Sequence, residues 1–150
     1  MSGAGPTVAP CCWWGGSGLV PLMSMIRARQ AATVKIPALL LLSARNWEDA
    51  LYRDELIGYE KLEDGFTVVF ALTRKQARRQ GDYSRRVDTP MMSEVLARLP
   101  EAPRNVFVCG SNAFVNSAAD GAVAAGVPVG RIRTDLASET SMPPNFDFHL

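Results

Sequence analysis

Histidine is almost missing from this chain and cysteine is sparse. Of 150 residues, one is histidine, His149, and three are cysteine: Cys11, Cys12 and Cys109. Adjacent cysteines rarely bridge each other, and an odd count builds no disulfide framework. A reducing compartment is therefore expected. With no Cys-x-x-Cys spacing and a single histidine near the end, no metal centre is expected. Net charge is nearly absent as well, at +1. No basic stripe runs along the chain, which argues against nucleic acid as a partner. The local exception "RKQARRQ" (74–80) reads as a solvated loop. Long apolar runs are missing too. "ALLLL" (38–42) is too short to span a bilayer, and the charge-free stretch before Arg27 lacks a basic start and is broken by Gly and Pro. A soluble cytoplasmic protein with no membrane contact is expected.

Apolar content is ample at 47%, enough for one domain with a core. Apolar runs alternate with helical patterns. "VAPCCWW" (8–14) is a poor strand with a proline in it, yet it stands where a strand is needed. "PLMSMIRARQA" (21–31) sets Leu22, Met25 and Ile26 on one helical face. "ALLLLSA" (38–44) reads as a strand buried on both faces. Asn46 is placed to cap a helix running to about Leu62, with Ala50, Leu51, Leu56 and Ile57 facing inward. "FTVVFALT" (66–73) is a third strand. Thr89-Pro90 opens a helix that Pro100 ends. "NVFVCG" (105–110) is a strand, 112–126 a helix and "GRIRTDL" (130–136) a last strand.

This alternation predicts an α/β fold: a Rossmann-like, doubly wound, five-stranded parallel sheet with helices on both faces. Ligands of such sheets bind beyond the C-terminal strand ends, where the strand order reverses. Function is therefore sought in the loops that follow the strands.

Four of those loops are candidates for chemistry. "GGSGLVP" supplies glycines for a sharp turn, then a helix whose free N–H groups suit a pyrophosphate. Pro21 in the first helical turn gives up a donor that has no intrahelical partner. No Lys-Ser/Thr follows, so this is not a nucleoside-triphosphate loop. Alone, the pattern is weak evidence, and an ordinary flexible turn is the better account of it. Ser43 and Arg45 follow the second strand, and Thr73, Arg74 and Lys75 the third. An acid at the second strand end would grip ribose hydroxyls; here the charge is positive. These groups point to a phosphorylated ligand, with a solvated surface arginine as the competing account of Arg45. In "VCGSN", Cys109 and Gly110 leave room for a flat ring to approach. Without further context, a core cysteine before a helix start is the commoner case. No reactive thiol is inferred, since no histidine accompanies it.

In this order, "GGSGLVPLMSMIR", "LLLSARNWEDALYRDEL", "FTVVFALTR", "GDYSRRVD" and "VFVCGSNAFV" resemble the pyridine-nucleotide-binding domain of the ferredoxin–NADP reductase superfamily. The resemblance covers roughly residues 14–135. It implies that Gly15, Gly16, Ser17, Gly18 and Pro21 lie under the pyrophosphate and nicotinamide ribose of NAD(P)H. Ser43, Arg45, Thr73 and Arg74 would lie near the adenosine end. Cys109 and Gly110 would face the nicotinamide, and Ser111 next to them would also belong to the cofactor-binding set. The implied activity is hydride transfer between nicotinamide and a flavin, FAD or FMN, with electrons passing on to an iron–sulfur or haem acceptor. No side-chain acid or base is required for that step.

The chain departs from the family pattern at its edges. No arginine–x–tyrosine–serine/threonine flavin motif stands before residue 15. "APCCWWGG" replaces a smoother apolar strand, Ser111 stands where proline is usual, and "RTDLASE" replaces a last strand ending in glutamate and an aromatic. The division expected is a degraded or truncated segment over 1–13, a nucleotide-binding domain over 14–136 and an irregular tail over 137–150. The flavin is expected on a separate domain or polypeptide. The alternatives are an incomplete fragment or a nucleotide-binding module without turnover, and, last, a phosphoryl-transfer regulator. That last reading needs clustered acids at the strand ends, which here carry Gly, Ser, Arg and Cys.

Overall fold

The computed structural model describes residues 10–16, 19–33, 35–77, 79–100 and 102–134. Five strands alternate with four helices: β1 (Cys11–Gly15), α1 (Val20–Ala31), β2 (Ala38–Ala44), α2 (Arg53–Lys61), β3 (Phe66–Leu72), α3 (Thr89–Leu96), β4 (Asn105–Cys109), α4 (Asn112–Ala124) and β5 (Ile132–Arg133). All neighbouring strands pair in parallel, in the order β3-β2-β1-β4-β5.

That order explains where the helices lie. From β1 the chain steps outward to β2 and β3, then returns to the other side of β1 for β4 and β5. Crossovers of one hand place helices on opposite faces when the direction of travel reverses. Leu22, Met25 and Ile26 of α1 and Leu56 of α2 pack with Trp13, Leu40 and Phe70 on one face. Met91, Met92 and Val95 of α3 and Ala118 and Ala122 of α4 pack with Trp14, Leu41 and Val69 on the other. Successive strand residues therefore serve opposite cores, as the two-residue side-chain period requires. Trp13 and Trp14 are both fully buried, one on each face. The expected poor strand is the centre of the sheet. Pro10 stands just outside it, where a missing N–H costs nothing, and its carbonyl accepts from the Arg104 amide at 2.8 Å.

Local boundaries differ from the sequence reading in three places. Asn46 does not cap α2. Its Oδ1 accepts from the Asp49 amide at 2.9 Å in a turn of its own. The chain passes through Tyr52 in the left-handed region (φ 58°), and α2 begins at Arg53. Trp47 holds the intervening loop down, edge-on to Phe70 at 5.3 Å, and its carbonyl accepts from Arg53 Nη1 at 2.6 Å. Leu51, expected to face inward, is 55% exposed. At α3 the cap is Asp88 rather than Thr89, its Oδ1 accepting from the Met91 amide at 2.9 Å. The last strand is shorter than expected, Ile132–Arg133 after a 3-10 turn over Val129–Arg131. Residues 135–150 and 1–9 lie outside the described residues, and with them the expected tail and most of the expected N-terminal segment.

The polar loop after β3 is not merely solvated. Tyr83 pairs with the outer edge of β3, its amide donating to the Phe70 carbonyl at 2.9 Å and its carbonyl accepting from the Leu72 amide at 2.8 Å. Arg79 fixes the loop through Glu60 Oε1 at 2.9 Å, Asp82 Oδ2 at 2.9 Å and the Val68 carbonyl at 2.6 Å. An otherwise open strand edge is thereby covered.

A surface cluster joins α1 to α2. Arg27 donates from Nε and Nη2 to the two Glu55 oxygens, each at 2.8 Å, and the Tyr59 hydroxyl donates to the same carboxylate. The Arg27 hydrogen bonds, followed by that of Tyr59, pull the Glu55 carboxyl down to about 2. In the unfolded chain a glutamate titrates near ~4.3. The stability this carboxylate contributes is therefore present above pH ~4.3 and is lost as pH falls toward 2. Glu55→Gln is expected to lower the melting temperature near pH 7 and to leave it little changed near pH 2, which flattens the acid limb between them. An acid limb identical to that of the wild type would refute the assignment.

Candidate nucleotide site

β1 and β4 are neighbours in the sheet, but the connections that follow them leave in opposite directions. A crevice opens where those connections part. The two turns touch: the Gly16 amide donates to the Cys109 carbonyl at 2.9 Å. β2 and β3 are joined at the same edge. The Thr73 amide donates to the Ala44 carbonyl at 2.9 Å and the Arg74 amide to the Arg45 carbonyl at 2.8 Å. These bonds keep the two strand-end arginines next to each other along the backbone.

An open cleft of about 630 Å³ lies over these strand ends. Ser43 and Arg45 line it from β2 and its exit, Thr73 from β3, Gly16 from β1 and Ser111 from the start of α4. Five of the residues singled out in the sequence thus share one cavity, of a size that suits an organic ligand. Arg45 and Arg74 are exposed, and among the described residues neither pairs with a carboxylate.

The other sequence candidates lie beneath or beside the cleft. Gly15 ends β1 in the core, where a Cβ would come within 2.8 Å of Leu19 Cδ1, so packing alone accounts for it. Pro21 sits in the first turn of α1, where its missing N–H is harmless. Arg74 and Gly110 are not among the lining residues; each is the chain neighbour of one that is, Thr73 and Ser111, and Gly110 has a φ of +154°. The Cys109 side chain is buried in the core below the crevice. Burial raises its thiol pKa, while the Gly110 backbone hydrogen bond partly offsets the rise, which suits packing rather than thiolate chemistry. Ser17 and Gly18 lie outside the described residues.

Asp49, Leu51 and Phe114 line the cleft without having been singled out in the sequence as site residues, as do Leu42 and Ala44 of β2. The first two reach the cleft only because the loop after β2 stays unwound past Asn46. Phe114 had a weak signal, an aromatic in the first turn of a helix that follows a glycine turn. Its amide donates to Ser111 Oγ at 3.2 Å, the N-terminal cap of α4.

A doubly wound parallel sheet with an open cleft at its reversal point defines a nucleotide-binding type of α/β domain. The chain belongs to the oxidoreductase NAD-binding domain family, whose model matches residues 14–120. No curated protein matches it. Among solved structures, the chain is similar to the CS-b5R domains of human Ncb5or in an NAD⁺ form, with a TM-score of 0.73 and 15% identity over 84% of this chain. It is also similar to the cytochrome b5 reductase domain of Ulva prolifera nitrate reductase, with a TM-score of 0.69 and 18% identity over 85% of this chain. A third likeness is to flavohemoglobin from Malassezia yamatoensis with bound FAD and heme, with a TM-score of 0.65 and 21% identity over 87% of this chain. At these identities the likeness is one of fold. The chain spans 36%, 49% and 32% of those three chains, respectively. Among the described residues no helix is long and apolar enough to cross a membrane.

Proposed function

We propose that this chain is the nucleotide half of an NAD(P)H-dependent flavoprotein oxidoreductase. It would bind NAD(P)H in the strand-end cleft and present the nicotinamide to a flavin on another domain or polypeptide, with electrons going on to an iron–sulfur or haem acceptor. The observation that carries this reading is the convergence of Gly16, Ser43, Arg45, Thr73 and Ser111 on one cavity at the point of strand reversal. Hydroxyls and the Arg45 guanidinium toward β2 and β3, beside the Asp49 carboxylate, and an uncharged wall toward α4 support a dinucleotide with its phosphorylated adenosine toward β2 and β3.

When bound, the reduced nicotinamide supplies the hydride. The protein's part is to hold and orient. Arg45, flanked by Arg74, offers charge to the phosphates, and the paired turns of β1 and β4 fix where the dinucleotide crosses the sheet. No lining side chain is needed to move a proton. The buried, unbridged cysteines support placing the protein in a reducing, cytoplasmic setting.

Fluorescence titration tests the reading, since tryptophans lie in β1 and in the loop beside the cleft. NADH or NADPH is expected to give a saturable change with a dissociation constant on the order of 1 µM to 1 mM. No response to either at millimolar concentration overturns it. Binding without diaphorase activity, even with a flavin domain supplied, would favour a nucleotide-binding module instead.

A further inference from the structure

Gly16 and Gly110 are bare positions at the crevice, but the space they leave is already filled. A Cβ on Gly16 would lie 3.3 Å from Phe114 Cγ and 3.5 Å from both Cδ atoms. A Cβ on Gly110 would lie 2.9 Å from Phe114 Cδ2 and 3.4 Å from Cγ. One aromatic ring therefore covers both glycines. It is half-buried and forms part of the cleft wall. The backbone under it is held by the Ser111 cap, so the ring moves only by turning about its own side-chain bonds.

The cleft has two unlike halves. The charged groups of the lining, Arg45 and Asp49, lie with Ser43 and Thr73 toward β2 and β3, while Gly16, Ser111 and Phe114 make an uncharged half toward β4. A dinucleotide laid across a reversal point puts one nucleoside on each side of the first strand. With the charged groups toward β2 and β3, the phosphorylated adenosine belongs there and the nicotinamide belongs toward β4. A flat ring approaching the two glycines meets Phe114 in its place.

Resting on the reading that this cleft takes NAD(P)H, we propose that Phe114 is a specificity-determining gate over the nicotinamide half. In the conformation described, its ring occludes the glycine surfaces, and it turns aside when the nicotinamide enters. The cost of that turn falls on ligands that carry the nicotinamide and not on those that end at the second ribose. Apparent affinity is scaled by the fraction of molecules in the competent conformation. For an open state populated on the order of one in ten, removing the ring tightens the full dinucleotide about tenfold.

The test compares the full chain with Phe114→Ala and Phe114→Leu by calorimetric titration against the reduced dinucleotide and against ADP-ribose. Leucine keeps apolar bulk at the position and guards against loss of the fold, which circular dichroism checks. The expected result is about tenfold tighter dinucleotide binding by the alanine variant, a smaller gain by the leucine variant, and ADP-ribose affinity unchanged in both. Weaker dinucleotide binding would mark the ring as a stacking platform and overturn the gate. So would no change, or an equal change in both ligands. A wild-type chain that binds neither ligand would instead overturn the underlying reading of the cleft.

Discussion

Arg29→Met is expected to lower the stability of the fold by about 3 kcal/mol. Arg29 is a fully buried charged residue, and its guanidinium ties three segments together. Nε donates to the Ile36 carbonyl at 2.9 Å, Nη2 to the Asp64 carbonyl at 2.7 Å and Nη1 to Asp64 Oδ1 at 3.1 Å. Ile36 leads into β2 and Asp64 into β3, so the last turn of α1 pins the entrances of two adjacent strands. Methionine would fill much of the volume and donate nothing. Two carbonyls would lose their donor, each at a cost of about 1–3 kcal/mol. The carboxylate of Asp64 would lose its partner as well. Burial alone would raise its pKa, yet the hydrogen bond and charge of Arg29 hold it below the ordinary value. Water reaches part of that carboxylate, so the larger share of the loss falls on the carbonyls. For a chain of this length the melting temperature is expected to drop by roughly 6–12 °C. Arg29→Lys is expected to recover only part, because an ammonium lacks the planar fork that serves three acceptors. Urea unfolding measures it: a shifted midpoint at constant slope is expected, and a loss under about 1 kcal/mol would show that the latch carries little.

Nothing in the sequence around Arg29 announces this role. It stands on the predicted α1 as one more basic residue, and its partners lie 7 and 35 residues away. The same holds for Arg79, read as part of a solvated loop, whose partner Glu60 comes from α2. Charged side chains that close tertiary gaps are invisible to local pattern, because pattern reports faces and periods rather than partners. What is legible is what period and topology fix. Alternating apolar runs gave the parallel sheet, since β-α alternation leaves few other ways to bury strands on both sides. The cleft residues Ser43, Arg45, Thr73 and Ser111 were legible because they sit at strand exits, and topology alone gathers strand exits on one edge. Asp49 and Leu51 were not, because an Asn side chain that closes its own turn looks in sequence like a helix cap. Phe114 was not, because its importance lies in two bare glycines across a turn, a relation that only the fold creates.

The Arg45→Ala variant is expected to lose about ten- to hundredfold in affinity for NADPH, and less for NADH. On the proposed reading of the cleft, the strand-end cations meet the 2′-phosphate that only NADPH carries. A lost charge-assisted contact of ~1.5–3 kcal/mol corresponds to that range. Arg45 lines the cleft, whereas Arg74 flanks it through the backbone bond to the Arg45 carbonyl. Arg74→Ala is therefore expected to show the same selectivity with a smaller loss. Two cations sharing one phosphate are coupled, so the double substitution is expected to cost less than the sum of the single ones. Asp49 lines the same cleft and carries the opposite sign. Its carboxylate opposes a phosphate, so Asp49→Asn is expected to shift preference toward NADPH. Both arginines are exposed, so salt should matter: at ~0.1 M ionic strength the screening length is only ~10 Å. The gap between NADPH and NADH is expected to narrow as salt rises, and to narrow less in Arg45→Ala, where most of it is already gone. Parallel titrations of both cofactors at two salt concentrations measure this. Equal losses for NADPH and NADH would mean that these arginines hold the shared pyrophosphate rather than the 2′-phosphate. The distinction between the two cofactors would then have to be sought elsewhere on the adenosine half.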